Sequence, residues 1–275
     1  MKVWLNGTLA DEQAACVSPA DHGLLVGDGV FETLRCYGGV PFALEDHLGR
    51  LEDGARALGL EPPAREALRV GARAVLEANG LADARMRITF TSGTGPPGLA
   101  RTTDAPTLLV AAWPLLPWPP TTTAIVSRYR RDEQSPLAGV KTISLVDSVM
   151  ALAEAHTAGA GEAILLNGRG DVCEATTANV FVVHGGDVRT PSLASGCLAG
   201  ITRDRVLRLA GGAESEVPAV ALREADELFL TSSTRGVQPL VELDGAPVGD
   251  GRVGEVTSRL AAAYEELVSA ELEVE

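Results

Sequence analysis

Apolar and polar residues along the chain follow two different periods, and the period changes at Gly and Pro. "KVWLNG" reads as a short strand ending in an Asn6-Gly7 turn. "GVFETLRCYGGVPFAL" reads as a β-hairpin that turns at Gly38-Gly39. Next, Leu44, Leu48, Leu51, Ala55 and Leu58 recur at helical spacing and share one face. "PAREALRVGARAVLEANG" predicts a second helix with its stop at Gly80. "ARMRITFTSG" and "PTLLVAAWPL" alternate as strands do. The spacing therefore predicts a small N-terminal α/β domain over 1–113.

The Pro-rich "WPLLPWPPTTT" breaks this pattern and reads as a semi-rigid linker over 114–123. A second domain follows over 124–275. Its elements are a strand at "TAIVSRYRR", a helix at "SLVDSVMALAEAHTAG" and a run of strands from Glu162 to Pro191 with Asn-Gly and Gly-Gly turns. A helix at "GITRDRVLRLAG" has Gly at both ends, strands follow through "ADELFLTSSTRGVQPLVELDG", and a helix closes the chain. The last residues, "ELEVE", read as a solvated tail. The expected fold class is α/β in the α+β sense, with two domains.

Composition narrows the chemistry. A formal net charge of -14 disfavours nucleic acid and anionic membranes as partners. The most apolar stretch is interrupted by Pro114, Pro117, Pro119 and Pro120 and does not fit a membrane span. Cys16, Cys36, Cys173 and Cys197 form no C-x-x-C pair, and the four His are scattered, so a metal site is not expected. Few Cys in a long chain and no apolar leader fit the cytoplasm.

Of the 23 basic residues only Lys2 and Lys141 are Lys. In a chain that uses Arg wherever positive charge suffices, an internal Lys suggests chemistry Arg cannot do. An amine can lose its proton and attack a carbonyl; a guanidinium cannot. A surface Lys kept by chance is the plain alternative. If Lys141 forms a Schiff base, pyridoxal 5'-phosphate is the commonest reason, and that cofactor needs a partner for its ring nitrogen and a phosphate site. Glu174 in "CEATTANVF" is a candidate for the first. For the second, Gly200 precedes a helix beginning at Ile201 or Thr202, whose free N–H groups and dipole suit an anion. The hydroxyls of "TSST" could add donors, and Arg50 could add charge. Arg50 is read as a solvent-facing cation whose loss leaves the apo fold near its original stability.

These motifs together resemble the class IV aminotransferases, the fold-type IV pyridoxal phosphate enzymes. The resemblance runs in order through "GLLVGDGVFETLR", "HLGRL", "LAGVKT", "GEAILLNGRGDVCEATTANVF", "LAGITR" and "ADELFLTSSTRGVQPL". It implies a small N-terminal domain and a larger pseudo-barrel domain, with the cofactor in the cleft between them, and a homodimer. It implies Lys141 as the Schiff-base lysine and Glu174 as the partner of the pyridine nitrogen. Arg50, the N–H groups of Ile201 and Thr202, and Ser233 would hold the phosphate. Phe31 would line the substrate side and Arg35 would clamp a carboxylate, with Arg87, Arg128 and Arg130 in reserve.

The motifs are mixed as to reaction. Ser92 stands where D-amino acid enzymes carry an Arg, and Ser144 where aminodeoxychorismate lyases commonly carry Asn. The balance favours transfer of an amino group between an amino acid and a 2-oxo acid. The alternative is the lyase reaction, which releases p-aminobenzoate and pyruvate. A catalytically silent homologue and a cofactor-free Schiff-base enzyme are the remaining readings.

Overall fold

The structure, a computed structural model, describes residues 1–101 and 105–273. The chain forms two compact units, 1–116 with 140–144, and 117–139 with 145–273.

The first unit opens with β1 (Lys2–Leu5) and β2 (Thr8–Asp11), joined by a tight turn in which Asn6 and Gly7 have φ of 47° and 91°. Two consecutive positive φ angles are what a two-residue hairpin requires, and Asn-Gly meets them at low strain. A short helix α1 (His22–Val26) follows, then β3 (Gly29–Tyr37), β4 (Val40–Pro41), α2 (Leu44–Ala57), α3 (Arg65–Asn79), β5 (Ala84–Thr91) and β6 (Thr107–Pro114). The strands pair antiparallel in the order β2-β1-β6-β5-β3-β4. Alternation puts Val30, Leu34, Met86, Ile88 and Val110 on one sheet face, where they form a core with Leu48 and Leu51 of α2 and Leu68 and Val75 of α3. Phe31, Arg35 and Arg87 stand on the other face.

Residues 140–144 join this unit although 139 and 145 belong to the other. The Phe31 N–H donates to the Lys141 carbonyl (3.0 Å), and the Ile143 N–H and Thr142 Oγ1 donate to the Gly29 carbonyl (3.0 Å each). The segment thus bonds to the start of β3, which no local pattern around Lys141 signals.

The second unit contains β7 (Thr122–Arg131), α4 (Val146–Thr157), β8 (Glu162–Asn167), β9 (Val172–Ala175), β10 (Asn179–His184) and β11 (Asp187–Pro191). It continues with α5 (Ile201–Ala210), β12 (Ala213–Ser215), α6 (Ala221–Glu224), β13 (Glu227–Ser232), β14 (Gly236–Leu243), β15 (Ala246–Pro247) and α7 (Glu255–Leu272). Its sheet runs β12-β11-β10-β13-β14-β7-β8-β9, with β15 on β14. The β9 end turns toward β10, with the Ala175 N–H donating to the Ala178 carbonyl, and the Val172 N–H donates to the Val217 carbonyl in the segment after β12. The resulting half-barrel encloses Ile164, Val180, Leu228, Leu230 and Leu240.

Two details differ from the sequence expectations. The Pro-rich stretch is anchored within the second unit from Pro117 onward: the Pro119 carbonyl accepts from Gln238, and Trp118 stacks on Arg235. The closing "ELEVE" does not begin as a solvated tail, because Glu271 in α7 binds the Arg205 guanidinium at 2.7 Å. Residues 274 and 275 of that stretch lie outside the described residues. Among the described residues no helix is long and apolar enough to cross a membrane.

Candidate active site

In the first unit the site grows from β3. Val30, Glu32 and Leu34 point to the core face, so Glu32 is a carboxylate on an apolar face, fully buried. α2 brings it partners. Arg50 Nε donates to Oε1 and Arg50 Nη2 to Oε2, both at 2.7 Å, and His47 Nδ1 lies 2.7 Å from Oε2. Burial pushes the Glu32 carboxyl up, but the charges and hydrogen bonds of Arg50 and His47 outweigh it and hold the pKa at about 2. His47 is also buried, and burial lowers its pKa despite Glu32, with Arg50 and Lys141 adding in the same direction. It is therefore a neutral imidazole, and Nδ1 donates to the carboxylate. Arg50 is not a solvent-facing cation; its side chain is 15% exposed and neutralises a buried charge.

On the opposite face of β3, one aromatic ring meets an amine and a guanidinium. Lys141 Nζ lies 4.6 Å from the Phe31 ring centroid, and Arg87 Cζ lies 3.8 Å from it. Burial, with Arg85 alongside, lowers the Arg87 guanidinium to about 10, so it stays charged at neutral pH. Arg35 stands further along the strand, over the Tyr37 ring at 4.1 Å, with Nε buried and lacking a hydrogen-bond partner.

In the second unit, Glu174 on β9 is held from two sides: the Leu198 N–H donates to Oε2 (2.9 Å), and Arg131 Nη2 lies 3.2 Å from Oε1. Residues 198–200 lead into α5, whose cap residue Gly200 offers no side-chain acceptor. The first N–H groups of a helix have no intrahelical partner, so Ile201 and Thr202 can present theirs to an anion. A Cβ built at Gly200 would run into Asn179 Oδ1, so any larger residue there displaces the Asn179 amide. The Thr202 hydroxyl faces Tyr264 of α7 at 3.3 Å. Ser233 lies in the turn between β13 and β14, which closes by a bond from the Arg235 N–H to the Ser232 carbonyl. The same turn is pinned by a buried pair, Arg235 Nη2 to Glu162 Oε2 at 2.6 Å, with Thr177 and Gln238 completing the set. Arg128 forms a surface pair with Glu154, and Arg130 donates to the Asn167 carbonyl.

Comparison with known proteins decides the family. The class IV amino-transferase family profile matches residues 29–243. The chain belongs to the class IV aminotransferases.

It is 38% identical over 282 residues to a Methanocaldococcus jannaschii protein provisionally named a branched-chain-amino-acid aminotransferase, covering 97% of this chain and 96% of that one. It is 32% identical over 282 residues to the D-alanine aminotransferase of Bacillus licheniformis, with 98% of each covered. Among solved structures, the branched-chain amino acid aminotransferase of T.th. with pyridoxamine 5'-phosphate superposes with a TM-score of 0.90 at 31% identity, covering 98% of this chain and 94% of that one. The fold-type IV architecture is thereby shown, and the protein is a transaminase of a pyridoxal-phosphate family.

Each unit, taken by itself, carries groups of the kinds that such a cofactor uses. The first unit supplies an amine beside an aromatic ring, and arginines. The second supplies a fixed carboxylate, a helix start without a side-chain cap, and the buried Thr231 hydroxyl, which lacks a hydrogen-bond partner. Sequence reasoning passed over Glu32, His47, Arg131, Asn179, Glu162 and Arg235. Two of them carried a readable signal. Glu32 sits between Val30 and Leu34 at strand spacing, and His47 between Leu44 and Leu51 at helical spacing, so each is a polar residue on an apolar face.

Proposed function

We propose that this aminotransferase binds pyridoxal 5'-phosphate and moves the amino group of an aliphatic amino acid to a 2-oxo acid, using Lys141 as its reacting amine. The observation that carries this reading is the Phe31 ring, which packs against both the Lys141 amine at 4.6 Å and the Arg87 guanidinium at 3.8 Å from its centroid. An amino acid needs just such a pair: an amine to exchange with, and a planar cation for its carboxylate. The names of the relatives, branched-chain amino acid and D-alanine aminotransferases, favour an aliphatic side chain.

When bound, the cofactor supplies an aldehyde for the incoming amine and a ring that accepts the electron pair of the broken C–H bond. The chain's own residues do the rest. Lys141 Nζ is the amine that would hold the cofactor through its aldehyde and give way to the substrate amine. Once freed, the same amine would take the α-proton and deliver it to the carbon that had carried the aldehyde, since one amine can serve as nucleophile, base and acid in turn. Glu174, held ready by Leu198 and Arg131, would pair with the ring nitrogen and favour its protonated form. Ile201 and Thr202 offer N–H groups to the phosphate, Ser233 a hydroxyl, and Arg50 a charge that Glu32 and His47 orient. Arg87 binds the carboxylate in preference to Arg35, because it is Arg87 that shares the ring with Lys141.

We also propose a homodimer working in the cytosol. Leu24, Leu25 and Val26 of α1 are exposed, as are Val146, Val149 and Met150 on one face of α4. Such apolar surface suits burial against a second copy. Four free cysteines suit a reducing compartment.

The deciding experiment is a half-reaction screen in single turnover, with L-leucine, L-valine, L-glutamate, D-alanine and aminodeoxychorismate in separate arms. Conversion of bound cofactor by L-leucine or L-valine supports the reading. Release of pyruvate from aminodeoxychorismate without such conversion replaces it with the lyase.

A further inference from the structure

We propose that Asn179 is a positioning residue for the phosphate anchor: it holds the Leu198–Gly200 segment so that the first N–H groups of α5 are presented in one place. The inference rests on the phosphate role given above to Ile201 and Thr202.

Leu198 is gripped at both ends of its backbone. Its N–H donates to Glu174 Oε2 at 2.9 Å, and its carbonyl accepts from Asn179 Nδ2 at 2.9 Å. Turning the amide over would bring Oδ1 against the carbonyl oxygen, so this bond dictates the orientation of the Asn179 side chain. Oδ1 then lies against Gly200, 2.0 Å from where a Cβ would stand. One side chain therefore touches the segment at its first and last residues. Asn179 is itself 5% exposed at the start of β10, where it pairs with Thr231 of β13.

This grip replaces a missing one. A Ser, Thr, Asp or Asn cap is favoured at helix starts because it occupies a first-turn N–H group. Among the described α-helices only α1 has one, from Asp21. At α5 the cap is glycine with no side-chain acceptor. A capping side chain would compete with an anion for those groups; an amide holding the preceding carbonyl does not. A second observation points to a ligand on the same face. Thr231 is the cross-strand partner of Asn179, so their side chains share a sheet face. Its Oγ1 is buried and has no hydrogen-bond partner, which a bound acceptor or donor would satisfy. Leu198 also joins two tasks, since the residue that orients Glu174 is the residue that Asn179 holds.

The test separates phosphate anchoring from general stability. The apoprotein is titrated with pyridoxal phosphate, with pyridoxal lacking the phosphate, and with inorganic phosphate followed by melting temperature. In Asn179→Leu, which keeps the side-chain shape, the Kd for pyridoxal phosphate should rise about tenfold or more, while that for pyridoxal stays within about threefold. Inorganic phosphate should raise the melting temperature of wild type more than that of the variant. Equal losses for both pyridoxal compounds, or no loss, overturn the proposal. If Asn179→Leu does not fold, Gly200→Ala probes the same contact from the other side. It should show the same selective loss, and an unchanged phosphate preference there overturns the proposal too. A wild type that binds pyridoxal as tightly as pyridoxal phosphate refutes the phosphate site itself, a different result from a variant that keeps the preference.

Discussion

Arg50 closes a two-point fork on Glu32, with Nε to Oε1 and Nη2 to Oε2 both at 2.7 Å, and the carboxylate it grips is fully buried. Removing one partner of such a pair strands a charge away from water. Arg50→Ala should therefore destabilise the apoprotein by about 3–5 kcal/mol, in addition to weakening cofactor binding. Arg50→Lys should restore little, because an ammonium cannot make the fork. Urea unfolding of the apoprotein measures this; a loss below about 1 kcal/mol would place Glu32 in contact with solvent.

Acid stability should depend on the same group. The Glu32 pKa is depressed from 4.5 to about 2, so its contribution is fully present above pH 4.5 and fades as pH falls toward 2. That difference corresponds to about 3 kcal/mol. His47, whose pKa is lowered from 6.5, works in the same direction: the unfolded chain takes up its proton first, so stability declines below pH 6.5. Melting temperature against pH should fall more steeply for wild type than for Glu32→Gln between pH 4.5 and 2. Parallel profiles would contradict the buried ionised carboxylate.

Lys141 should carry the covalent bond to the cofactor. Borohydride reduction and peptide mass mapping should place the adduct on Lys141, and Lys141→Ala should lower turnover by several orders of magnitude, since nucleophile and base go together. An adduct on Lys2 would end this assignment.

The carboxylate clamp can be read from kinetics. Arg87→Met should raise KM for the 2-oxo acid by about 10- to 100-fold, the worth of a charge-assisted hydrogen-bond pair. Arg35→Met should change it by less than about threefold. The opposite ranking would move the clamp along β3 to Arg35.

Glu174→Gln should retain cofactor but slow α-proton exchange by about 10- to 100-fold, because an amide cannot balance a protonated ring nitrogen. Exchange of the α-deuterium of a bound amino acid, followed by NMR, reads this directly. An unchanged rate would remove Glu174 from the ring.

Much of the secondary structure was legible because it follows local rules. Asn6-Gly7 and Gly38-Gly39 turn where φ must be positive, Gly80 and Gly211 end helices in the left-handed conformation, and α2 buries Leu48, Leu51 and Ala55 as their spacing predicts. The short elements α1, α6, β12 and β15 lack enough residues to show a period. The family was legible through Lys141, Glu174 and the Gly200-Ile201-Thr202 run, because reacting groups and helix starts impose residue types at single positions.

The partnerships were decided elsewhere. Nothing local says that Val140–Ser144 leaves its neighbours in the chain to bond along Gly29 and Phe31, because that choice depends on a strand more than 100 residues earlier. The same holds for Arg50, which reads as a surface cation on a helical wheel until β3 brings Glu32 to it. It holds for Arg87 and Arg35, two arginines on one sheet face that meet different rings and different hydrogen-bond partners. Residue type and spacing determine which backbone conformations and which chemistry the chain can support. The burial and pairing that set charge states arise only when distant segments pack and exclude water.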